Sequence, residues 1–117
     1  MTALADAGCE AAFLRVDVSQ EKEVEAMVAH CLEHFGGLDC AVNNAGIGGP
    51  AGEIDSIALA DWERVLAINL TGVFLCMKYQ IPVMRRAGAG SIVNMSSGAG
   101  KIATPVSYTH LTLPPKA

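Results

Sequence analysis

The chain has 117 residues, a formal net charge of −4, 51% hydrophobic residues and 17% charged residues, the make-up of one globular domain at most and not of a disordered segment. The acidic balance argues against a nucleic-acid partner or an anionic membrane surface, because either favours a basic patch. Aromatics are only 5% while glycine occurs 12 times, which suits layered α/β packing with helices lying close on a sheet.

In chain order, residues 2–7 read as the end of a helix stopped by Gly8. FLRVDV (13–18) carries β-branched residues and reads as a strand. Ser19 reads as the N-cap of an amphipathic helix over 20–35, with Glu21 and Glu23 in its first turn and an apolar stripe at Val24, Met27, Val28, Cys31, Leu32 and Phe35. His30 and His34 have metal-capable spacing on that helix but no third ligand, so they read as a solvated face and no metal site is expected. LDCAVNNAG (38–46) opens with an apolar run around one acid, the pattern of a strand covered on both faces. IGGPAGEIDS is a glycine- and proline-rich loop. A long helix is expected from Ala60 to Arg86, apolar on more than one face and therefore deeply buried, with Trp62 in the core and Lys78 and Tyr79 at the surface or an interface. SIVNMSS (91–97) reads as a third buried strand.

Cys9, Cys31, Cys40 and Cys76 form no C-x-x-C pair and read as buried free thiols of a reducing compartment. The start, MTALADAGCE, has neither a basic nor an apolar leader region. The longest apolar stretch, VLAINLTGVFLCM, is shorter than the ~20 residues of a bilayer-spanning helix. A cytoplasmic chain without a membrane anchor is expected.

Strand–helix–strand–helix–strand with buried strands implies a parallel sheet with right-handed crossovers, in which ligands bind at the carboxyl ends of the strands. Asp17, the run Asn43 to Gly46, and Ser96-Ser97 all fall at such ends. Asn43 and Ser96 read as structural polar groups of the strand ends.

Four pieces in order, Asp17-Val18, NNAG at 43–46, the asparagine of VLAINLTGVF at 69, and IVNMSS-x-AG with its second serine at 97, resemble the single-domain NAD(P)-dependent short-chain dehydrogenase/reductase family over residues 2–105. The resemblance implies an α/β fold, a partial Rossmann-type doubly wound parallel sheet made of the third to fifth strands with their connecting helices. It implies that Asp17 meets the adenine amino group, that Val18 offers backbone to the same ring, and that Asn44, Ala45 and Gly46 lie against the adenosine ribose. Asn69 would bend its helix and hold a water of the proton relay, and Ser97 would hydrogen-bond the substrate oxygen. The implied reaction is hydride transfer between NAD or NADP and a secondary alcohol or ketone. The implied partners are that small molecule and further copies of the chain, as a homodimer or homotetramer built on the helix that carries Asn69.

The sequence departs from the family pattern at both ends. The Gly-x-x-x-Gly-x-Gly turn that binds pyrophosphate is not among these residues. The family's Tyr-x-x-x-Lys would put a lysine at 112 if Tyr108 were its tyrosine, but that residue is Thr112; Lys116 stands beyond Pro114-Pro115. Free tyrosine ionises near pH ~10, so without an adjacent ammonium it is a poor base at neutral pH. Ser97 and Tyr108 are also closer in sequence than the family's serine and tyrosine. The reading is therefore a partial NAD(P)-binding domain over 1–106 and a non-native-looking tail over 107–117. The parent gene is expected to encode the dehydrogenase and the chain as written to be inactive. The alternatives are a non-catalytic nucleotide-binding relative and a truncated product without function.

Overall fold

The computed structural model describes residues 2–98 and Lys101. Tyr108, Thr112, Lys116 and the 107–117 tail lie outside the described residues. The elements in order are α1 (Thr2–Asp6), α2 (Glu21–Phe35), β1 (Cys40–Asn43), a 3₁₀ turn (Ile54–Ser56), α3 (Leu59–Leu66), a π-helical turn (Ala67–Thr71), α4 (Gly72–Ala87) and β2 (Ser91–Asn94).

The helix expected over 20–35 forms, but its cap is Gln20, which makes no side-chain bond to the helix. The Ser19 hydroxyl is engaged elsewhere, donating to Asp17 Oδ1 at 2.7 Å. Val24 and Val28 are the buried residues of the apolar stripe, and the helix ends at Gly36 in a left-handed turn, φ 77°.

The long helix also forms, as α3, the π turn and α4 in unbroken succession over Leu59–Ala87. Counted as one helix of 29 residues, it is long and apolar enough by length and composition to cross a membrane, which corrects the reading of its apolar stretch as too short. A core helix of a globular protein passes the same test. It is less buried than its composition implied: Trp62, Leu70 and Phe74 are all exposed. A two-stranded sheet covers only one strip of such a helix.

Val24, Leu75 and Cys76 form the core between α2 and α4, with Val16, Val18, Met27 and Tyr79 packed around them. Glu21 and Lys78 join the same two helices by an exposed ion pair at 2.6 Å, which contributes little because solvent screens it. Lys78 is therefore a surface residue, as read.

The expected strand over 13–18 is not formed. Residues 9–17 have no regular secondary structure, because a strand needs a hydrogen-bonded neighbour and none runs beside them among the described residues. The segment keeps a strand's alternation: Val16 and Val18 face the core cluster, while Arg15 and Asp17 are exposed.

β1 and β2 pair in parallel with the register Cys40↔Ser91 through Asn43↔Asn94. The strands are shorter than read and are not covered on both faces: Val42 is 64% exposed and Val93 49%. Cys40 is likewise exposed and Cys31 half-buried, so of the four free cysteines only Cys76 fits the buried expectation. Burial pushes the Cys76 thiol pKa up, by keeping the thiolate out of water.

Candidate active site

The parallel register decides what the two strand ends carry. Asn43 and Asn94 are partners, so Asn44-Ala45-Gly46 and Met95-Ser96-Ser97 leave the sheet at the same edge. The Met95 N–H donates to the Asn43 carbonyl at 3.0 Å, which extends the ladder one step past β2. Ser97 is exposed, three residues beyond the end of β2.

Asn69 sits in the π turn Ala67–Thr71. A π turn widens the helix by one residue and is frequent at functional positions. The Asn69 side chain does not compete for its own helix backbone. Its Oδ1 accepts from the Ile47 N–H at 2.8 Å, and its Nδ2 donates to the Ile47 carbonyl at 2.8 Å. The side-chain amide thus closes a two-bond ring on the backbone N–H and carbonyl of Ile47, the residue that follows Gly46. A Cβ at Gly46 would stand 3.3 Å from Asn69 Oδ1, so a larger residue would press on the clasp. The expected local irregularity of the helix is present. The side-chain amide makes one bond through each of its two polar atoms, both to Ile47.

Asp17 precedes the N-terminus of α2. Its Oδ1 accepts from the Ser19 N–H at 3.0 Å and from the Ser19 hydroxyl at 2.7 Å, an Asx turn. Its own N–H donates to Glu23 Oε1 at 3.2 Å. The Ser19 hydroxyl and N–H hold the Asp17 carboxyl below its ordinary 3.8, with Arg64 adding a smaller pull. The folded pKa is depressed, so this favourable charge is fully present above about pH 3.8 and is lost as pH falls through the lower folded value. Ser19→Ala is expected to raise the Asp17 pKa toward 3.8, as read by carboxyl-carbon NMR titration; an unmoved pKa would show that Ser19 does not hold it.

Val18 packs against Gly72, the first residue of α4. A Cβ on Gly72 would stand 2.7 Å from Val18 Cγ2 and 3.4 Å from its carbonyl oxygen, so only glycine lets the 16–18 segment lie this close. Asn43 is buried in an amide network with Gln80 and Asn94. Ser96 ends exposed past β2.

A cavity of about 310 Å³ opens beside β1, lined by Val18 and Ala45 together with Val28, Cys31, Gly72 and Cys76. Its lining is apolar apart from Asn43 and Gln80, so it is core space between the helices and β1 and not a seat for a charged dinucleotide. Among the described residues no three of His, Cys, Asp or Glu are grouped to hold a metal ion. His30 and His34 stack with ring centroids 4.1 Å apart.

The structure therefore brings Asn44, Ala45, Gly46 and Asn69 into one assembly, carries Ser97 to the same sheet edge, and seats Val18 on the same long helix through Gly72. Asp17 precedes Val18; its carboxylate bonds to Ser19 and its N–H to the Glu23 carboxylate. Gln80 and Gly72 were not singled out in the sequence. Gln80 had a signal, being the one polar residue in the buried helical series Cys76, Gln80, Met84.

The family model described as short chain dehydrogenase matches residues 1–109. The chain belongs to the short chain dehydrogenase family. It is 45% identical over 104 residues to a 2,5-dichloro-2,5-cyclohexadiene-1,4-diol dehydrogenase of Sphingobium indicum, covering 88% of this chain and 42% of that protein. In structure it is similar to NAD+-bound xylitol dehydrogenase, with TM-score 0.86 and 33% identity over 90% of this chain and 40% of that one. It is also similar to ElxO with NADP bound, with TM-score 0.76 and 33% identity over 82% and 39%. The chain thus has a partial Rossmann-type α/β fold, and it spans less than half the length of these short-chain dehydrogenases.

Proposed function

We propose that the chain is the part of an NAD(P)-dependent oxidoreductase that carries the adenosine-side loop, the asparagine clasp and the substrate serine. The observation that carries this reading is the Asn69–Ile47 clasp at Gly46, which fixes a glycine-bearing loop at the carboxyl edge of a parallel sheet. Gly46 lets the loop lie against the Asn69 amide, and Asp17 is ionised and exposed at neutral pH, so the residues present fit an adenine nucleotide. In the proposed complex Asp17 accepts from the adenine amino group, Val18 offers backbone to the ring, and Asn44 to Gly46 line the ribose. Ser97 donates to the substrate oxygen and orients it. The nicotinamide, when bound, supplies the hydride acceptor or donor. Asn69 is assigned to the catalytic assembly through the loop it holds.

The substrate class we propose is a secondary alcohol or ketone, with a cyclic diol as one candidate on the likeness to the Sphingobium indicum enzyme. Leu59, Trp62, Leu70, Phe74 and Ile81 present apolar surface along the long helix, which supports its use as the contact between copies in a homodimer or homotetramer. The free cysteines support a reducing, cytoplasmic location. We read residues 107–117 as a tail foreign to the domain 1–106, and the proton-transfer tyrosine and lysine as residues of the parent and not of this chain.

Sequencing the source DNA outward from both ends of the coding stretch tests this. The expected result is a Gly-x-x-x-Gly-x-Gly turn upstream and a Tyr-x-x-x-Lys downstream, and NAD(P)-dependent alcohol oxidation by the product of that frame. A native frame that ends at Pro114-Pro115-Lys116-Ala117 would overturn the catalytic reading and leave nucleotide binding without chemistry.

A further inference from the structure

We infer that Gln80 is a positioning residue for the nucleotide loop, holding Asn43 while Asn69 holds Ile47, so that one helix grips residues 43–47 at both ends.

Gln80 is 5% exposed and Asn43 9%. Their amides face each other reciprocally: Gln80 Nε2 donates to Asn43 Oδ1 at 2.9 Å, and Asn43 Nδ2 donates to Gln80 Oε1 at 3.1 Å. The same Asn43 Nδ2 donates its second hydrogen to Asn94 Oδ1 at 2.9 Å. Asn94 Nδ2 points in turn at Met77 Sδ, 3.3 Å away on α4. Both amide hydrogens of Asn43 and its oxygen are therefore used.

A polar network in a buried face costs desolvation that an apolar residue beside Cys76 and Met84 would avoid, so it stabilises one arrangement over others and not the core as such. The arrangement it selects is the register. Asn43 and Asn94 are direct partners across the sheet. A slip of one residue would turn Asn43 to the opposite face and leave the Gln80 amide buried without partners. Since Asn44 to Gly46 follow Asn43 and Met95 to Ser97 follow Asn94, the lock that Gln80 closes sets the nucleotide loop against the serine strand. Asn69 then secures the far end of the loop from the same helix. The functional weight of this inference rests on the nucleotide reading above.

The test is hydrogen exchange by NMR on the full chain, comparing Gln80→Met with Val24→Ala. Methionine keeps the length of glutamine without its amide, and Val24→Ala loosens the core away from the network. The reporter is the Ile47 N–H. Gln80→Met is expected to speed its exchange about tenfold more than it speeds exchange across α2, whereas Val24→Ala should speed both alike. Equal acceleration everywhere in Gln80→Met, or an Ile47 amide unprotected in the unsubstituted chain, overturns the inference. A second readout uses residues 2–98 in place of the matching segment of the Sphingobium indicum dehydrogenase. There Gln80→Met is expected to raise KM for NAD several-fold beyond any change from Val24→Ala, and equal KM values in the two variants overturn the inference. An unsubstituted chimera that does not bind NAD would sink the nucleotide reading and leave the exchange result standing.

Discussion

Asn69→Ala is expected to weaken nucleotide binding by about tenfold to a hundredfold while leaving the long helix as stable as before or more so. The weakening follows from two lost bonds, each of 2.8 Å, to the Ile47 backbone. A neutral hydrogen bond contributes about 0.5–1.5 kcal/mol net, and the two act on the loop itself. The helix responds in the opposite sense, because alanine is the better helix former by up to ~0.7 kcal/mol. The opposed signs make the result diagnostic. Helical circular dichroism should hold or rise while the NADH dissociation constant increases. If affinity and helicity fell together, Asn69 would be acting through helix integrity and not through the loop. Asn69→Asp should not rescue binding: it keeps the acceptor for the Ile47 N–H but sets a carboxylate against the Ile47 carbonyl.

Gly72→Ala has the largest expected effect on stability, destabilising by about 1–3 kcal/mol. The added methyl would lie 2.7 Å from Val18 Cγ2 and 3.2 Å from Val18 Cβ. Valine is stiff at χ1 and cannot swing its methyls clear, and its carbonyl oxygen is 3.4 Å away on the same side. The helix-propensity gain of alanine over glycine, ~1 kcal/mol, offsets only part of this. For a domain of this size 1 kcal/mol corresponds to about 4–8 °C in Tm. The check is a double-mutant cycle with Val18→Ala. Gly72→Ala should cost much less in that background, because the two sites are in contact. Equal costs in both backgrounds would mean that the close approach of Val18 to Gly72 does not govern stability.

The sheet edge was legible in the sequence because short apolar runs ending in Asn-Asn-Ala-Gly and Ser-Ser read alike on periodicity and on turn residues. Asn69 was legible as an irregularity, since a mid-helix asparagine needs a partner beyond its own helix. Which partner it takes was not, because Ile47 lies 22 residues away and nothing local links the two. Ser19 misled for a local reason: an aspartate two residues before it claims its hydroxyl and leaves Gln20 to cap the helix. FLRVDV failed as a strand because strand propensity describes fit to a neighbour and not an intrinsic backbone preference. The apolar surroundings of Trp62 and Cys40 point to burial, but an apolar run does not state which of its faces is covered, and both are exposed. Gln80 is hard to single out from sequence because a lone glutamine in a helix is ordinary, and only its reciprocal bonds to Asn43 set it apart.

The two grips on the loop sit eleven positions apart on one continuous helix, with the π turn at the first of them. Each residue of an α-helix advances the facing direction by about 100°. Inserting or deleting one residue between 69 and 80 would therefore aim one amide at its partner and swing the other well away from it. Homologous chains that keep both side chains are expected to keep the length of this stretch unchanged. Evolution could lengthen the loop between 47 and 59 at little cost, whereas the helix opposite it works as a ruler of fixed measure.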